Sequence, residues 1–221
     1  MIKKLLCPGL LETGHVSEKL MVVRDGMVNS YILKTGAGLL CIDTGWRPVC
    51  VSRAFEILGL KTRDVASVLL THMHWDHARC LTLFPDAEVF VGKYEIPSVF
   101  VNVESNQPLK RVKGGQTLTA GGFTVNVIDT PGHTSGSLSY VVDKNLLFTG
   151  DTLRLKHGKV LPFPFWLNKD GNVLNQSIQR LTGINEIKCL LTSHSGISWD
   201  IDKAFSLWRE SAVDLAHGGD S

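Results

Sequence analysis

The sequence lacks both a strong charge of one sign and a long hydrophobic run. Its 221 residues carry a formal net charge of only +2, which is too small to indicate the broad basic surface of a nucleic-acid-binding protein. No stretch approaches the eighteen or so consecutive apolar residues that a membrane-spanning helix requires. We therefore expect neither a nucleic-acid partner nor a membrane, and we expect a cytoplasmic location. The one local basic cluster, Lys110, Arg111 and Lys113, is predicted to be a solvated loop.

Cysteine is scarce and scattered. The five cysteines, at positions 7, 41, 50, 80 and 189, are odd in number and show no Cys-x-x-Cys spacing. A secreted disulfide framework would have an even set at regular spacings. The sequence therefore predicts free thiols and a reducing compartment.

Two catalytic motifs are also missing. A serine hydrolase of the α/β type needs a Gly-x-Ser-x-Gly turn, and the segment 132–136 has Thr134 where the nucleophilic serine would stand. Residues 36–38 begin like a dinucleotide-binding loop but lack its third glycine, so a hairpin turn is predicted there. Neither a serine nucleophile nor a bound dinucleotide is expected.

The composition that remains is that of an ordinary globular protein, and we predict one domain over residues 1–221. Hydrophobic residues make up 43% of the chain and charged residues 20%, as in most soluble folds. Apolar runs between turn signals predict strands at Leu20–Val23, Val28–Leu33, Leu39–Ile42, Ser67–Thr71, Glu88–Val91, Phe123–Ile128, Leu138–Val142, Leu146–Phe148 and Ile187–Leu191. Helices are predicted over Pro48–Leu58, Val173–Leu181 and Ile201–Leu215. This order favours a mixed α/β fold of two sheets covered by helices.

Polar side chains follow the predicted strands at the point where each strand ends. Five strands are followed within a few residues by a histidine or an aspartate: Asp43, His72, His133, Asp151 and His194. Loops on rigid strand ends are where layered α/β proteins place their chemistry. We therefore expect these side chains to converge on one edge of the fold.

The densest cluster is residues 71–77, Thr-His-Met-His-Trp-Asp-His, which contains the pattern His-x-His-x-Asp-His. Imidazole nitrogen and carboxylate oxygen are the ligands that zinc prefers where a coordination position stays open. The chain is expected to turn after Thr71, so that His72 and His74 both serve one site. The turn would bring Asp76 and His77 toward a second ion.

Four ligands within six residues cannot complete two coordination spheres, so others must come from elsewhere. The strand ends supply His133, Asp151 and His194. Seven such residues in this arrangement predict a centre with two metal ions. No metal role is expected for the other three histidines, His15, His157 and His217.

Together these motifs resemble those of the metallo-β-lactamase-fold hydrolase superfamily. Residues 71–77 are similar to the family's first metal motif, residues 131–136 (Pro-Gly-His-Thr-Ser-Gly) to the second, residues 148–152 (Phe-Thr-Gly-Asp-Thr) to the third, and His194 to the last. The resemblance covers about residues 20–200 and implies a four-layer αββα sandwich. It is greatest to the glyoxalase II and lactonase branches, because the β-lactamases of the superfamily lack an aspartate equivalent to Asp151.

The resemblance also implies a role for each residue. The first metal would be bound by His72, His74 and His133. The second would be bound by Asp76, His77 and His194. Asp151 would bridge the two ions, which are expected to be zinc, with iron or manganese as alternatives. Asp76 is further expected to act in catalysis by orienting the nucleophile and passing a proton to the leaving group. Asp43 is expected to orient a ligand loop from outside the ligand set.

The expected function is hydrolysis of a small ester, thioester or lactone through a metal-bound hydroxide. One alternative is a mononuclear iron dioxygenase acting on persulfides, whose ligands would correspond to His72, His133 and Asp151. Another is a phosphodiesterase or nuclease of the same fold, which the low net charge disfavours. A non-enzymatic metal-binding protein is a fourth reading, disfavoured by the complete ligand set.

Two segments are predicted to be loops that cover the metals, Tyr94–Lys113 and Leu153–Asn172. The second contains the aromatic and proline-rich run 161–166, which suits the acyl or ring part of a small-molecule substrate. The residues predicted to line the substrate pocket are Trp75, Arg154, His157, Phe165 and Trp166. A packing role for the aromatics, or a homodimer contact, is the alternative.

Overall fold

A computed structural model describes the backbone of residues 9–101 and 108–217, and the side chains of those residues up to 210. Cys7 and part of the predicted loop 94–113 lie outside the described residues. The four cysteines within these ranges are all free thiols, as the sequence predicts. No helix in the described part of the chain combines the length and the apolar character needed to cross a bilayer.

The first sheet contains seven strands within the described residues, and they lie side by side in sequence order. They are β1 Gly14–His15, β2 Leu20–Asp25, β3 Val28–Thr35, β4 Gly38–Ile42, β5 Val65–Leu69, β6 Glu88–Gly92 and β7 Leu109–Val112. Strands β1 to β4 are antiparallel, whereas β4 to β7 are parallel. The antiparallel half explains the short turns at the start of the chain, because a two-residue hairpin joins antiparallel neighbours.

The second sheet has six strands in the order β15-β14-β11-β10-β9-β8, counted over the same ranges. They are β8 Thr117–Ala120, β9 Phe123–Asp129, β10 Leu138–Val142, β11 Leu146–Phe148, β14 Cys189–Thr192 and β15 Gly196–Ser198. Only the β11/β14 pair is parallel. Strands β12 Leu153–Lys156 and β13 Lys159–Pro162 form a separate antiparallel hairpin.

The helices are α1 Pro48–Ile57, α2 Trp75–Ala78, α3 Gly171–Thr182 and α4 Ile201–His217. Pro48 occupies the first turn of α1, where a missing N–H costs no hydrogen bond. The carboxylate of Asp170 caps α3 by accepting hydrogen bonds from the backbone N–H groups of Asn172 and Val173, which satisfies two donors of the first turn.

Three apolar clusters show how these elements stack. One cluster lies between the sheets, with Leu40 and Leu69 from the first sheet and Val125 and Phe148 from the second. Another packs α1 on the outer face of the first sheet, and the third packs α3 and α4 on the outer face of the second. The order helix, sheet, sheet, helix confirms the predicted αββα sandwich.

The predicted strands and helices are confirmed with shifts of a few residues at their ends. The predicted loop over Leu153–Asn172 is wrong in its first half, because the β12/β13 hairpin occupies Leu153–Pro162. Leu155 and Val160 of the hairpin are buried against the second sheet. The predicted loop over Tyr94–Lys113 is wrong at its end, where β7 lies.

The basic cluster at 110–113 is exposed, as the sequence predicts, but part of it forms a strand instead of a loop. Lys110 and Arg111 belong to β7. The guanidinium of Arg111 donates hydrogen bonds to the carbonyl oxygens of Gly92, Lys93 and Glu95, at 3.3, 3.0 and 2.8 Å. Arg111 therefore fixes the turn that follows β6.

Candidate metal centre

The two sheets are tied together at the edge where the predicted ligands lie. Tyr31 of the first sheet donates a hydrogen bond to the carbonyl oxygen of Thr192 in the second (2.7 Å), and Tyr140 of the second donates to that of Leu70 in the first (2.7 Å). Both tyrosines are at most 2% exposed. Since Leu70 precedes the 72–77 cluster and Thr192 precedes His194, these bonds hold the ligand loops of the two sheets against each other.

Three imidazoles converge in the first group. The Nδ1 atom of His74 lies 3.1 Å from Nε2 of His72 and 2.9 Å from Nε2 of His133. All three nitrogens lie within 4.8 Å of one another. This spacing is what three ligands of one metal ion require, because each would lie about 2.0–2.1 Å from a zinc ion at their centre.

The second group contains Asp76, His77 and His194, whose ligand atoms also lie within 4.8 Å of one another. Asp151 lies between the two groups. Its Oδ2 atom is 3.5 Å from Nε2 of His133, whereas its Oδ1 atom is 3.4 Å from Nε2 of His77 and 3.3 Å from Nε2 of His194. One carboxylate oxygen therefore faces each group, which is the geometry of a bridging ligand.

The residues present fit a metal-binding site. The Nε2 atom of His77 and the Oδ1 atom of Asp151 are buried, and neither makes a hydrogen bond to any residue that the structure describes. Such buried polar atoms are costly unless a partner satisfies them, and a cation would satisfy both. The pocket opens where Asp76, His194 and His74 are partly exposed, whereas His77 and Asp151 are buried.

The ionisation states of His72, His74, His133 and Asp151 suit metal ligands, whereas His77 would have to give up a proton to an incoming ion. Burial lowers the pKa of His72 well below its ordinary value, and burial likewise lowers the pKa values of His74 and His133; metals bind the neutral imidazole. Burial alone would raise the pKa of Asp151, but His194 and His77 hold it well below its usual range. Burial opposes the charged form of His77, but the surrounding carboxylates, first that of Asp151, raise its pKa well above normal.

Asp43 orients His77 of the second group through Nδ1, the ring nitrogen that does not face the other ligands. Its Oδ2 atom lies 2.8 Å from Nδ1 of His77 and accepts a hydrogen bond from the Thr71 hydroxyl at 2.8 Å. Its Oδ1 atom accepts one from the backbone N–H of Thr71 at 2.8 Å. With Nδ1 of His77 held in this way, Nε2 is the nitrogen presented to the cluster. Gly150 completes the packing, since a Cβ there would lie only 2.4 Å from the Thr71 hydroxyl.

Partners outside the predicted set hold the other histidines. Nδ1 of His133 lies 3.0 Å from Oδ1 of Asn168, and the backbone N–H of Lys169 donates to the carbonyl oxygen of His133. Nδ1 of His194 contacts the carbonyl oxygen of Met27 at 2.6 Å. Sequence analysis missed Asn168 and Met27, because an amide 35 residues from its histidine and a backbone carbonyl leave no local pattern.

The predicted pocket residues divide into two sets. Phe165 and Trp166 are 80% and 69% exposed and immediately precede Leu167 and Asn168, so they lie beside the His133 group. Trp75 is half-buried, with its ring edge-to-face on that of Trp46 at 4.8 Å. All three are close in sequence to a ligand or to a residue that contacts one, and their part in a substrate pocket stays a prediction.

The structure places His157 away from the cluster and shows no contact between Arg154 and a predicted ligand among the described residues. Arg154 is engaged within its hairpin, where its Nε donates to the carbonyl oxygen of Pro162. His157 is in the exposed turn between β12 and β13, at the opposite end of the hairpin from Asp151. The neighbouring Gly158 lies against Lys203 of α4. These placements follow from the hairpin, which the sequence analysis read as a loop.

The aromatic side chain in direct contact with the cluster is one that was not predicted. The ring of Phe163 lies 5.1 Å from that of His133 and 5.4 Å from that of His194, measured between centroids. Phe163 is 8% exposed. It therefore forms an apolar wall that spans both ligand groups, and its place in the aromatic run 161–166 was the available signal.

Comparisons with known proteins agree with this geometry. A family model described as the metallo-beta-lactamase superfamily matches residues 23–181. The chain is 32% identical over 136 residues to the atrochrysone carboxyl ACP thioesterase of Aspergillus fumigatus, covering 59% of this chain and 30% of that protein. It is 32% identical over 117 residues to the protein named probable polyketide biosynthesis zinc-dependent hydrolase BaeB of Bacillus velezensis, covering 52% of this chain and 49% of that protein.

A solved structure shows the same fold. It is that of a metallo-beta-lactamase family protein from Thermus thermophilus, with a TM-score of 0.69 at 21% identity, over 91% of this chain and 82% of that one. The chain spans about half the length, or less, of the curated relatives that it matches.

Proposed function

The chain belongs to the metallo-β-lactamase superfamily, and from this premise we propose that it is a metal-dependent hydrolase of an ester, thioester or lactone with an apolar acyl or ring part. The observation that carries the proposal is the position of Asp151, which turns one carboxylate oxygen toward each of two ligand groups. A carboxylate with one oxygen toward each group suits a centre of two ions, whereas a single ion in either group would use only one of those oxygens.

The proposal assigns the first ion to His72, His74 and His133. It assigns the second ion to Asp76, His77 and His194, with Asp151 between the two. Imidazole and carboxylate together favour zinc over the harder cations that all-oxygen sites select. A bound pair of zinc ions would polarise a substrate carbonyl and make hydroxide available near neutral pH.

Asp76 is proposed to act in catalysis as well as in metal binding. Its carboxylate is 17% exposed at the open side of the pocket and lies 3.4 Å from Nε2 of His194. Burial alone would raise the pKa of Asp76, but His77 and His194 hold it below its ordinary value. The carboxylate therefore stays ionised at neutral pH. It is placed to orient an incoming water molecule and to carry its proton to the leaving group.

Two exposed apolar segments support an apolar substrate. One is Phe165–Leu167, joined to the His133 loop through Asn168. The other contains Tyr94, Ile96, Val99 and Phe100, all more than 60% exposed, and it is joined to the 72–77 cluster by the N–H of Ser98, which donates to the carbonyl oxygen of Met73. Exposed apolar groups on both ligand loops suit an acyl chain or ring near the scissile carbonyl.

The printed names of two relatives point the same way. One is a thioesterase that acts on an acyl carrier protein, and the other is a zinc-dependent hydrolase. We extend the thioester substrate and the zinc to this chain as part of the proposal, because both agree with a nitrogen- and oxygen-liganded centre beside exposed apolar side chains. We call the two exposed segments, Phe165–Leu167 and the one with Tyr94, Ile96, Val99 and Phe100, the apolar rim.

Removal of metal is the first test. We expect a zinc chelator to reduce hydrolysis of a panel of aryl esters, lactones and acyl thioesters to the background rate, and added zinc to restore it. Because binding only to the folded state stabilises it, by about 4 kcal/mol at a thousandfold excess over Kd, the melting temperature should fall and recover in parallel. Plasma emission should count two zinc ions per chain. Full activity in metal-free protein would disprove the proposal.

The same samples test the iron dioxygenase alternative. That activity would require iron in the purified protein and oxygen uptake with a persulfide. Zinc content together with hydrolysis and without oxygen uptake would exclude it.

A second prediction concerns the apolar rim. We expect Phe165→Ala and Trp166→Ala each to raise KM for a long-chain or aromatic substrate roughly 10-fold, with metal content unchanged, because these side chains lie beside the ligands without contacting them. Short acetyl substrates should be hydrolysed at the normal KM. Trp199→Ala is the matched control, since Trp199 is 56% exposed and lies beyond β15. Unchanged KM across the whole panel would remove the rim from the substrate site.

A further inference from the structure

Glu95 is a buried carboxylate that the proposed hydrolysis does not use. It follows β6 and is only 4% exposed, although its neighbours Tyr94 and Ile96 are 62% and 79% exposed. Burial of a charged side chain costs free energy unless specific partners satisfy it. A buried carboxylate between two exposed apolar side chains therefore indicates a specific role.

The carboxylate of Glu95 is surrounded by donors from both loops of the first ligand group. Its Oε1 atom accepts a hydrogen bond from the backbone N–H of Met73 at 3.2 Å, and Met73 stands between His72 and His74. Its Oε2 atom accepts one from the hydroxyl of Thr134 at 2.6 Å, and Thr134 directly follows His133.

Glu95 contacts the loop that carries His133 at a second point as well. The backbone of Gly136 lies against the Glu95 carboxylate, since a Cβ at position 136 would lie 2.7 Å from its Oε2 atom. The approach is so close that a Cβ at position 136 would lie 2.3 Å from the backbone nitrogen of Glu95. A single side chain therefore fixes the relative position of two loops that lie about sixty residues apart in sequence.

The turn that carries Glu95 is itself immobilised. Arg111 donates to the carbonyl oxygens of Gly92, Lys93 and Glu95, and the N–H of Glu95 donates to the carbonyl oxygen of Gly92 at 3.0 Å. These bonds anchor the turn to β7. The carboxylate is thus held by the rigid sheet rather than by a free loop.

We infer that Glu95 is a positioning residue for the first metal ion: it sets the distance between the loop that carries His72 and His74 and the loop that carries His133. The inference rests on the proposed metal centre. Glu95 should therefore affect the affinity for one ion only, because none of its side-chain hydrogen bonds reaches Asp76, His77 or His194.

The test measures metal affinity rather than turnover. The zinc-loaded full chain is titrated with a competing chelator, and the loss of each ion is followed separately. We expect Glu95→Ala to weaken binding of one ion by about 10–100-fold, the range for partners that orient metal ligands, and to leave the other ion unchanged. Glu95→Gln, which keeps an acceptor for Met73, should recover part of the affinity. Glu88→Gln is the control, because Glu88 is an exposed residue of β6, the strand that precedes Glu95.

A spectroscopic measurement separates positioning from general stability. Cobalt(II) placed in the first site has a visible absorption spectrum that reports its ligand geometry. The spectrum should change in Glu95→Ala and return toward the normal one in Glu95→Gln. Thr134→Val should reproduce part of the change, and its effect should not add to that of Glu95→Gln, since the two side chains share one hydrogen bond.

Two outcomes overturn the inference, and a third overturns the metal centre instead. Normal affinity and a normal cobalt spectrum in Glu95→Ala, or equal weakening of both ions, would show that Glu95 does not position the first site. If Glu95→Ala does not fold, Glu95→Gln and Thr134→Val decide by the same criteria. His133→Ala should lose one ion; if it keeps both, the proposed ligand assignment fails whatever Glu95 does.

Discussion

We expect Asp151→Ala to reduce kcat/KM by at least about 10³-fold, the upper end of the loss when one preorganised electrostatic group is removed from an active site. The reason is that Asp151 is the one carboxylate among the described ligands that faces both groups, 3.5 Å from His133 Nε2 and 3.4 Å from His77 Nε2. Its removal takes a negative charge from two cation sites at once. Metal analysis should therefore find less than one zinc ion per chain.

Variants of two other aspartates are compared with Asp151→Ala. Asp76→Asn removes a charge that faces only the second group, so this variant should keep the first ion and lose less activity than Asp151→Ala. Asp202→Asn alters a carboxylate that is 93% exposed on α4 and should be normal. If Asp151→Ala kept both ions and near-normal turnover, Asp151 would not be a ligand. If Asp76→Asn kept both ions and full turnover, the role proposed for Asp76 would be wrong.

The ligand residues could be predicted because their signal is local and chemical. His72, His133 and His194 each follow an apolar strand by a few residues, and strand ends on packed sheets converge on an edge. A short His-x-His-x-Asp-His run leaves few other interpretations. The structure brings all seven predicted ligands together, and it adds that Asp151 lies between the groups, which the resemblance had implied and the spacing alone could not reveal.

The supporting residues could not be predicted, because they act over long separations in sequence. Glu95 reaches Thr134 across 39 positions and Asn168 reaches His133 across 35. Neither pairing leaves a periodic pattern, and each depends on how two loops meet after the sheets have packed. Arg111 was misread for the same reason. Its charge indicated an exposed loop; Arg111 is exposed, but it lies in β7 and donates to three carbonyl oxygens at the end of β6 and in the turn that follows.

The missed hairpin has a different cause. Strands β12 and β13 contain Arg154, Lys156 and Lys159, so their alternation of polar and apolar residues is short and weak beside the apolar runs of the two main sheets. Only Leu155 and Val160 turn inward from the middle of the hairpin. Four residues per strand are too few for period two to stand out. His157 was placed in the pocket because this turn was taken for part of a loop.

Substitution of Asp43 is expected to have the second large effect. It should reduce both the stability of the fold and the affinity for metal. Asp43 is 1% exposed and has a φ of 57°, a conformation that asparagine also tolerates. Asp43→Asn therefore changes the chemistry without straining the backbone. One of its two oxygens becomes an NH₂ group, which faces either the N–H of Thr71 or the hydroxyl of Thr71 and Nδ1 of His77.

We expect Asp43→Asn to weaken binding of the second ion by about 10–100-fold, because Nδ1 of His77 then faces either an NH₂ group or a neutral amide oxygen in place of the charged carboxylate. Asp43→Ala leaves the N–H of Thr71 and Nδ1 of His77 without this partner, and breaking a buried pair of this kind costs about 3–5 kcal/mol. Urea unfolding of the metal-free protein measures that loss, and chelator titration of the loaded protein measures the affinity of each ion.

Asp25 provides the matched control, because it is as buried as Asp43 and accepts as many hydrogen bonds. Its carboxylate binds the backbone N–H groups of Trp46 and Arg47 and the guanidinium of Arg47, and it contacts no metal ligand. Asp25→Asn should therefore destabilise the fold while both ions bind normally. Equal metal affinities in the Asp43 and Asp25 variants would mean that Asp43 supports the fold alone. Selective loss of one ion in Asp43→Asn would instead assign the orientation of His77 to this carboxylate.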